Sequence, residues 1–298
     1  MAGKGNVFMP ARESARRSSC FERLLSERQP DGTIPRHPYA KWDGAHWVLA
    51  ALADLGHPPG DQSLIPLREQ VLEWLLSPGR ERRIGRRVDG RTRFCASQEG
   101  NAIYSLLALD LADERVELLV ERLLETQWPD GGWNCDVRPE ADTSSFHESV
   151  LPLRALALHA RRTGSKASRD AADRAAELFL VRSLFRRRRD GAVMRPGFIR
   201  LHYPAYWHYD ILAGLKVMAE AGHIHDERCR EALDLLEAKR LPDGGFPAEA
   251  KYYRVADGKV SGRSLVDWGP TGAQVSNPFV TRDALAVLRA AGRAQQLG

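Results

Sequence analysis

His147-Glu148 and His208-Tyr209-Asp210 are two short strings that set an imidazole beside a carboxylate. That pairing suits proton transfer, because a partly dry pocket moves the pKa values of both groups toward neutrality. Asp43 and His46, within Trp42-Asp43-Gly44-Ala45-His46-Trp47, and Glu99, at the opening of an apolar stretch, offer the same chemistry. Each has a plainer reading as a cap or as a buried polar group bonded to a nearby turn, and for Asp210 capping is the default. Aromatic residues crowd the same strings: Trp42, Trp47, Tyr104, Tyr206, Trp207 and Tyr209. Their ring faces would stabilise a carbocation or line a slot for an apolar chain, with core packing as the alternative. A metal variant sets Zn between Cys135, His147 and His208, since zinc accepts mixed sulfur and nitrogen ligands. The spacing is not diagnostic, and an unpaired cysteine is more often a small buried side chain, so no cofactor is assigned.

These strings are far apart in the chain, so the elements between them must bring them together. The stretch Glu125-Thr-Gln-Trp-Pro-Asp-Gly-Gly-Trp-Asn-Cys-Asp136 shows how. An amphipathic run (Val116, Leu119, Val120, Leu123) leads into it, Pro129 and Asp130-Gly131-Gly132 stop the helix, and an aromatic follows. Variants recur at Asp31-Gly32, Asp89-Gly90, Asp190-Gly191 and Asp243-Gly244, from 41 to 60 residues apart. That period is the one of helix-hairpin repeats. Small-residue-rich helices are predicted over 42–55, 99–111, 145–159, 206–221 and 281–291, alternating with more charged ones over 64–76, 114–127, 167–185 and 227–239. Apolar helices touching neighbours on all sides and charged helices facing water make an inner and an outer ring. No run shows convincing two-residue alternation except Lys251 to Val255, so no sheet is predicted.

At 298 residues and 43% apolar composition the length alone does not choose between one core and two. Hairpins that share a core choose one domain, 19–298, after a loose basic arm at 1–18. Apolar runs fall short of a membrane span, and the basic start lacks the apolar segment of a secretory signal. Four cysteines without a Cys-x-x-Cys pair argue against a disulfide framework, so a cytoplasmic location is expected. The net charge of +5 concentrates in two arginine runs, 80–93 and 186–189. Such runs are usually solvated faces, no nucleic-acid motif accompanies them, and nucleic acid is therefore an unlikely partner. On the rim of a ring they would also suit a diphosphate. The Gly- and Pro-punctuated stretch 262–278 reads as a lid over a cavity or as a strap joining the last hairpin to the first.

The phrase Leu123-Leu-Glu-Thr-Gln-Trp-Pro-Asp-Gly-Gly-Trp133 resembles the turn motif of the prenyltransferase and squalene cyclase repeat family, with weaker copies at Gln29, Asp190 and Asp243. The resemblance covers roughly residues 20–292 and implies an all-α fold, an α/α toroid of about five to six hairpins. It implies an enzyme acting on an isoprenoid, apolar or anionic, in a central aromatic cavity, as a cyclase or a prenyltransferase does. The cyclases' Asp-x-Asp-Asp string is absent, and Ser144 stands where the prenyltransferases' zinc thiolate would fall. Two other readings stay open: a carbohydrate-active toroid with paired carboxylates, and a noncatalytic binding scaffold. The size and lining of the cavity discriminate among the three.

Overall fold

The computed structural model describes residues 11–84, 87–258 and 260–293. Residues 1–10 of the expected arm lie outside that range, and 11–18 already belong to a helix, α1 (Ala11–Leu25). The chain is mostly helical: α2 (Ala45–Leu55), α3 (Ile65–Leu75), α4 (Pro78–Ile84), α5 (Ala96–Ala108), α6 (Arg115–Thr126), α7 (Phe146–Thr163), α8 (Lys166–Leu180), α9 (Ile211–Ala221), α10 (Arg230–Glu237) and α11 (Pro278–Ala290). Two ladders of two-residue strands join them, an antiparallel pair β1 (Arg87–Val88) with β2 (Arg91–Thr92) and a parallel pair β3 (Arg254–Val255) with β4 (Arg263–Ser264).

Helices α2, α5, α7, α9 and α11 pack one against the next in that order. The alternating helices attach outside this series: α3 touches α2 and α5, α6 touches α5 and α8, α8 touches α7 and α9, and α10 touches α9. Burial follows the same division. In α5, Ala96 to Ile103 are all buried, whereas α6 buries Val116, Leu119, Val120 and Leu123, one stripe of an otherwise charged helix.

The contact between α5 and α7 is the tightest, and the sequence explains why. Pro152 lies inside α7, where it has no N–H to donate, and Gly100 of α5 meets that bare backbone. A Cβ at Gly100 would stand 2.4 Å from Pro152 N, so only glycine fits.

The Asp130 turn is built as its composition demands. Gly131 has φ +95° and no room for a side chain, Gln127 Nε2 donates to Gly131 O (2.7 Å) and to Ala171 O of α8 (2.8 Å), and the buried Trp133 indole donates to Leu123 O (3.2 Å). Asp130 accepts from Ser144 N at 2.8 Å and aims the chain at α7.

The first and last hairpins meet through the stretch 252–266. Trp42 N donates to Arg263 O (2.7 Å), Gly262 N donates to Lys41 O (2.8 Å), and the Trp42 indole donates to Tyr252 O (2.8 Å). The buried Arg263 guanidinium bridges Glu27 and Asp43. Of the stretch 262–278 expected as lid or strap, residues 262 and 263 make these contacts to Lys41, Trp42, Glu27 and Asp43, while Leu265 to Pro278 line an opening.

Candidate functional site

The helix expected over 206–221 begins only at Ile211, because Asp210 caps it by accepting from Ala213 N (2.8 Å). The freed segment 202–209 is irregular and carries the imidazoles. Asp210 also accepts from His202 N (2.9 Å), and its Oδ2 lies 2.7 Å from His202 Nδ1. The partner of Asp210 is therefore His202 and not His208, the imidazole expected beside it.

His208 stacks between Trp207 (4.0 Å between centroids) and Tyr252 (3.9 Å), 6.0 Å from His202. Tyr206 stacks on Trp42 at 4.0 Å, with φ +49°, a backbone conformation that costs a non-glycine residue free energy and that the surrounding packing maintains. His147 meets the edge of Trp207 at 5.5 Å. Thus Trp42, Tyr206, Trp207, His208 and His147 do come together, from three separate hairpins.

The two central imidazoles are displaced in opposite directions. Burial pushes His202 down, but the Asp210 charge and hydrogen bond outweigh it and hold the ring above its ordinary pKa. His208 is pushed down to about 3 by burial first, then by His202, His147 and Lys41. The Asp210 carboxylate favours the charged form of His202, whereas burial keeps His208 neutral.

His208 borders two spaces. One is an open cleft of about 350 Å³ whose lining includes Lys41, Trp42, Trp207, Lys251, Tyr252 and Arg254. The Lys41 ammonium lies 5.0 Å from the Trp207 ring centre and 5.5 Å from that of Trp42. The other is a cavity of about 40 Å³ among the inner helices, shared with His202, Tyr206 and Asp210. That is room for a water or two, far below the several hundred Å³ of a ligand pocket.

Charge fills this inner space. Arg154 pairs with Asp54 (2.8 Å) and Glu220 (2.5 Å), and Lys216 pairs with Asp283 (3.0 Å) and Asp54 (3.4 Å), while Arg282 holds Asp283 at 2.7 Å. Tyr104 accepts from Arg154 at 2.7 Å and belongs to this network. Burial pushes Asp54 up, but Arg154 and Lys216 together hold it below the usual carboxylate range. The central aromatic cavity expected from sequence is here a charge-balanced network, and the aromatic layer lies to one side of it.

The remaining expected residues are placed elsewhere. Glu99 is fully buried between Arg80 (2.9 Å) and Arg122 (3.1 Å). Asp43 pairs with Arg36 (3.1 Å) and Arg263 (3.4 Å), and its pKa is raised chiefly by burial. His46, driven down to about 3 by burial and then by Arg80, bonds Asn101 at 2.9 Å. Trp47 and Tyr209 are core residues, the Tyr209 hydroxyl donating to Leu184 O at 2.7 Å.

Members of the arginine runs are engaged in structural contacts: Arg80 with Glu99, Arg93 with Asp136 O (3.1 Å) and Ala141 O, and Arg187 and Arg189 with Asp190 (3.2 Å each). Arg86 lies outside the described residues. The cations at the cleft are instead the isolated Lys41, Lys251 and Arg254.

Cys135 is not grouped with His147 and His208. Its donor atom gathers with those of Cys95 and Glu148, all within 4.8 Å of one another. Glu148 accepts from Ser97 N (3.0 Å) and from Cys135 Sγ (3.3 Å), and burial raises its pKa. A wider opening, about 1010 Å³, lies between α1, residues 243–245 and residues 265–285, and its lining includes none of the imidazoles.

No family model and no curated protein matches the sequence. Among solved structures the chain is similar to the type II terpene cyclase MstE from Scytonema, at 14% identity over 96% of this chain and all of that one, with a TM-score of 0.31. A variant of that cyclase in complex with its substrate, geranylgeranyl dihydroxybenzoate, gives 15% identity over 95% of this chain and 98% of that one, with a TM-score of 0.28. Values this low assign neither a reaction nor a site residue. Among the described residues no helix is long and apolar enough to cross a membrane.

Proposed function

We propose that the helix pairs close as an α/α toroid and that the protein is an enzyme of isoprenoid type. It would take an anionic isoprenoid in the rim cleft rather than on the axis, and move a proton through His208. What supports closure is the succession α2, α5, α7, α9, α11 together with the return of residues 252–266 to Lys41 and Trp42. The observation that carries the functional reading is the pair of imidazoles 6.0 Å apart whose environments push their pKa values apart, one of them in the wall of a cationic aromatic cleft.

A ring pushed down to about 3 is a weak base on its own. A bound anion beside it reverses that, because opposite charge favours the imidazolium. Lys41, Lys251 and Arg254 hold the head group, the Trp42 and Trp207 faces take the apolar body or a developing cation, and His208 becomes basic only when the cleft is filled. The fixed charge of His202 then disfavours a second proton nearby. Among the described residues no carboxylate lines the cleft, so the carbohydrate reading, which requires two, has no support there.

The test is quenching of the cleft tryptophans by a prenyl diphosphate, by inorganic pyrophosphate and by the corresponding prenol, with product analysis alongside. The diphosphate should bind tightest, and Lys41→Ala and Lys251→Ala should each weaken it about tenfold, the loss of one charge contact. His208→Gln should leave binding within about threefold while turnover falls by about 100-fold or more. Equal binding of all three ligands, or of none, refutes the reading.

A further inference from the structure

Cys95, Cys135 and Glu148 come from three places that the fold forces together. Cys95 immediately precedes α5, Cys135 follows the Asp130 turn, and Glu148 lies in the first turn of α7. The Gly100–Pro152 contact fixes α5 against α7, so the registers of the first and third are set by backbone packing. One donor atom of each lies within 4.8 Å of the other two, and all three residues are partly exposed. Cys135 Sγ and Glu148 Oε1 are 3.3 Å apart.

Zinc bonded to sulfur at about 2.3 Å and to oxygen at about 2.0 Å sets tetrahedral neighbours about 3.5 Å apart, and two sulfurs about 3.8 Å apart. The first separation is already met, and the rest, each within 4.8 Å, need side-chain shifts of at most about 1 Å. Ser97 N holds the other carboxylate oxygen at 3.0 Å, as a supporting bond orients a metal ligand, and the Cys95 side chain makes no cap bond to α5. We propose that Cys95, Cys135 and Glu148 form a zinc site with three protein ligands and a fourth position open to water. Two thiols release their protons to solvent as the metal binds, leaving two thiolates and a carboxylate around Zn²⁺. The paired sulfurs select zinc over magnesium or calcium.

The site does not depend on the isoprenoid reading, and it excludes the Cys135, His147, His208 arrangement, since His147 faces Phe198 and Trp207 while His208 faces Tyr252.

The experiment titrates Co²⁺ into the full chain, reduced and stripped of metal, and reads thiolate-to-cobalt charge transfer and the ligand-field bands of a tetrahedral ion. One equivalent should bind and be displaced by Zn²⁺. Cys95→Ser and Cys135→Ser should each weaken binding about 100-fold or more and Glu148→Gln at least about tenfold, at or beyond the loss from removing a supporting residue. Cys20→Ser and Cys229→Ser should change nothing. Absence of the charge-transfer band in the unmodified chain overturns the proposal, as does a band that survives both ligand cysteine variants. So does a Cys95–Cys135 disulfide that forms equally fast with and without Zn²⁺. Should a cysteine variant fail to fold, Glu148→Gln, which keeps the side-chain shape, decides the matter.

Discussion

His46 and His208 are both held at about 3 in the folded chain, and both ordinarily titrate near 6.5. A depressed histidine contributes stability that is complete above its unfolded pKa and is lost as pH falls toward its folded one. By pH 5 each should have lost about 1–2 kcal/mol, with His208 at the low end because its ring borders open solvent. Urea melts at pH 7 and pH 5 should show that loss in the natural chain and a smaller one in His46→Gln and in His208→Gln. His202 has the opposite sign. Its raised pKa gives stability that is full below about 6.5 and fades as pH rises through the folded value, so His202→Gln should cost more at pH 6 than at alkaline pH. A constant cost across that range would mean that the Asp210 charge is not what holds the ring. Why His202 escaped the sequence reading is plain at this scale. No carboxylate is its neighbour in the chain, and its partner lies eight residues on, already committed as a helix cap. Lys41 and Lys251 are single cations with no charge run to mark them, whereas members of the arginine runs are committed to structural partners such as Glu99, Asp136 O and Glu231.

At the scale of elements, the repeated turn was legible because each of its residues meets a separate local demand. Gly131 supplies a positive φ, Asp130 accepts from Ser144, and Trp133 fills the buried corner against its own helix. The helix starts were less legible. A run such as Tyr203 to Tyr209 has aromatic density but no period, and where it stops being loop is decided by the Asp210 cap and by Tyr206 stacking on Trp42 from another hairpin. The close approach of α5 to α7 is also invisible in periodicity, since it rests on a glycine in one helix matched to a proline in the other. Gly100→Ala should force those two backbones apart at a cost of about 3 kcal/mol, lowering the melting temperature by roughly 5–10 °C. Pairing it with a replacement of Pro152 should not rescue it, because the clash reaches the carbonyl carbon of Leu151 at 2.6 Å as well. A melting temperature within a degree of the natural chain would show that the two helices slide freely.

For the whole molecule, the mostly helical chain and the meeting of far-apart residues were legible in the sequence, but the position of the polar groups was not. Asp54, Arg154, Lys216, Glu220, Arg282 and Asp283 are scattered by ones and twos over α2, α7, α9 and α11, so nothing in one helix announces that four helices present compensating charges to a common interior. Buried charges of one sign alone would be prohibitive, whereas this balanced set fills the space that an apolar substrate would need. The segment 252–266 supplies one wall of the cleft and also bonds to Lys41 and Trp42. Arg263 couples these two tasks through Glu27 and Asp43. Arg263→Ala removes one partner of a buried acid and should cost about 3–5 kcal/mol. Hydrogen exchange locates that cost: the amides of Trp42 and Gly262, bonded across the junction, should lose protection by tenfold or more, about 1.4 kcal/mol, while those of Leu119 and Leu156 move far less. Because Gly262 and Ser261 line the same cleft, ligand binding should weaken in parallel. Equal loss of protection at all four amides would instead mean that opening the junction unfolds the entire chain, and the cleft would then have no wall that moves on its own.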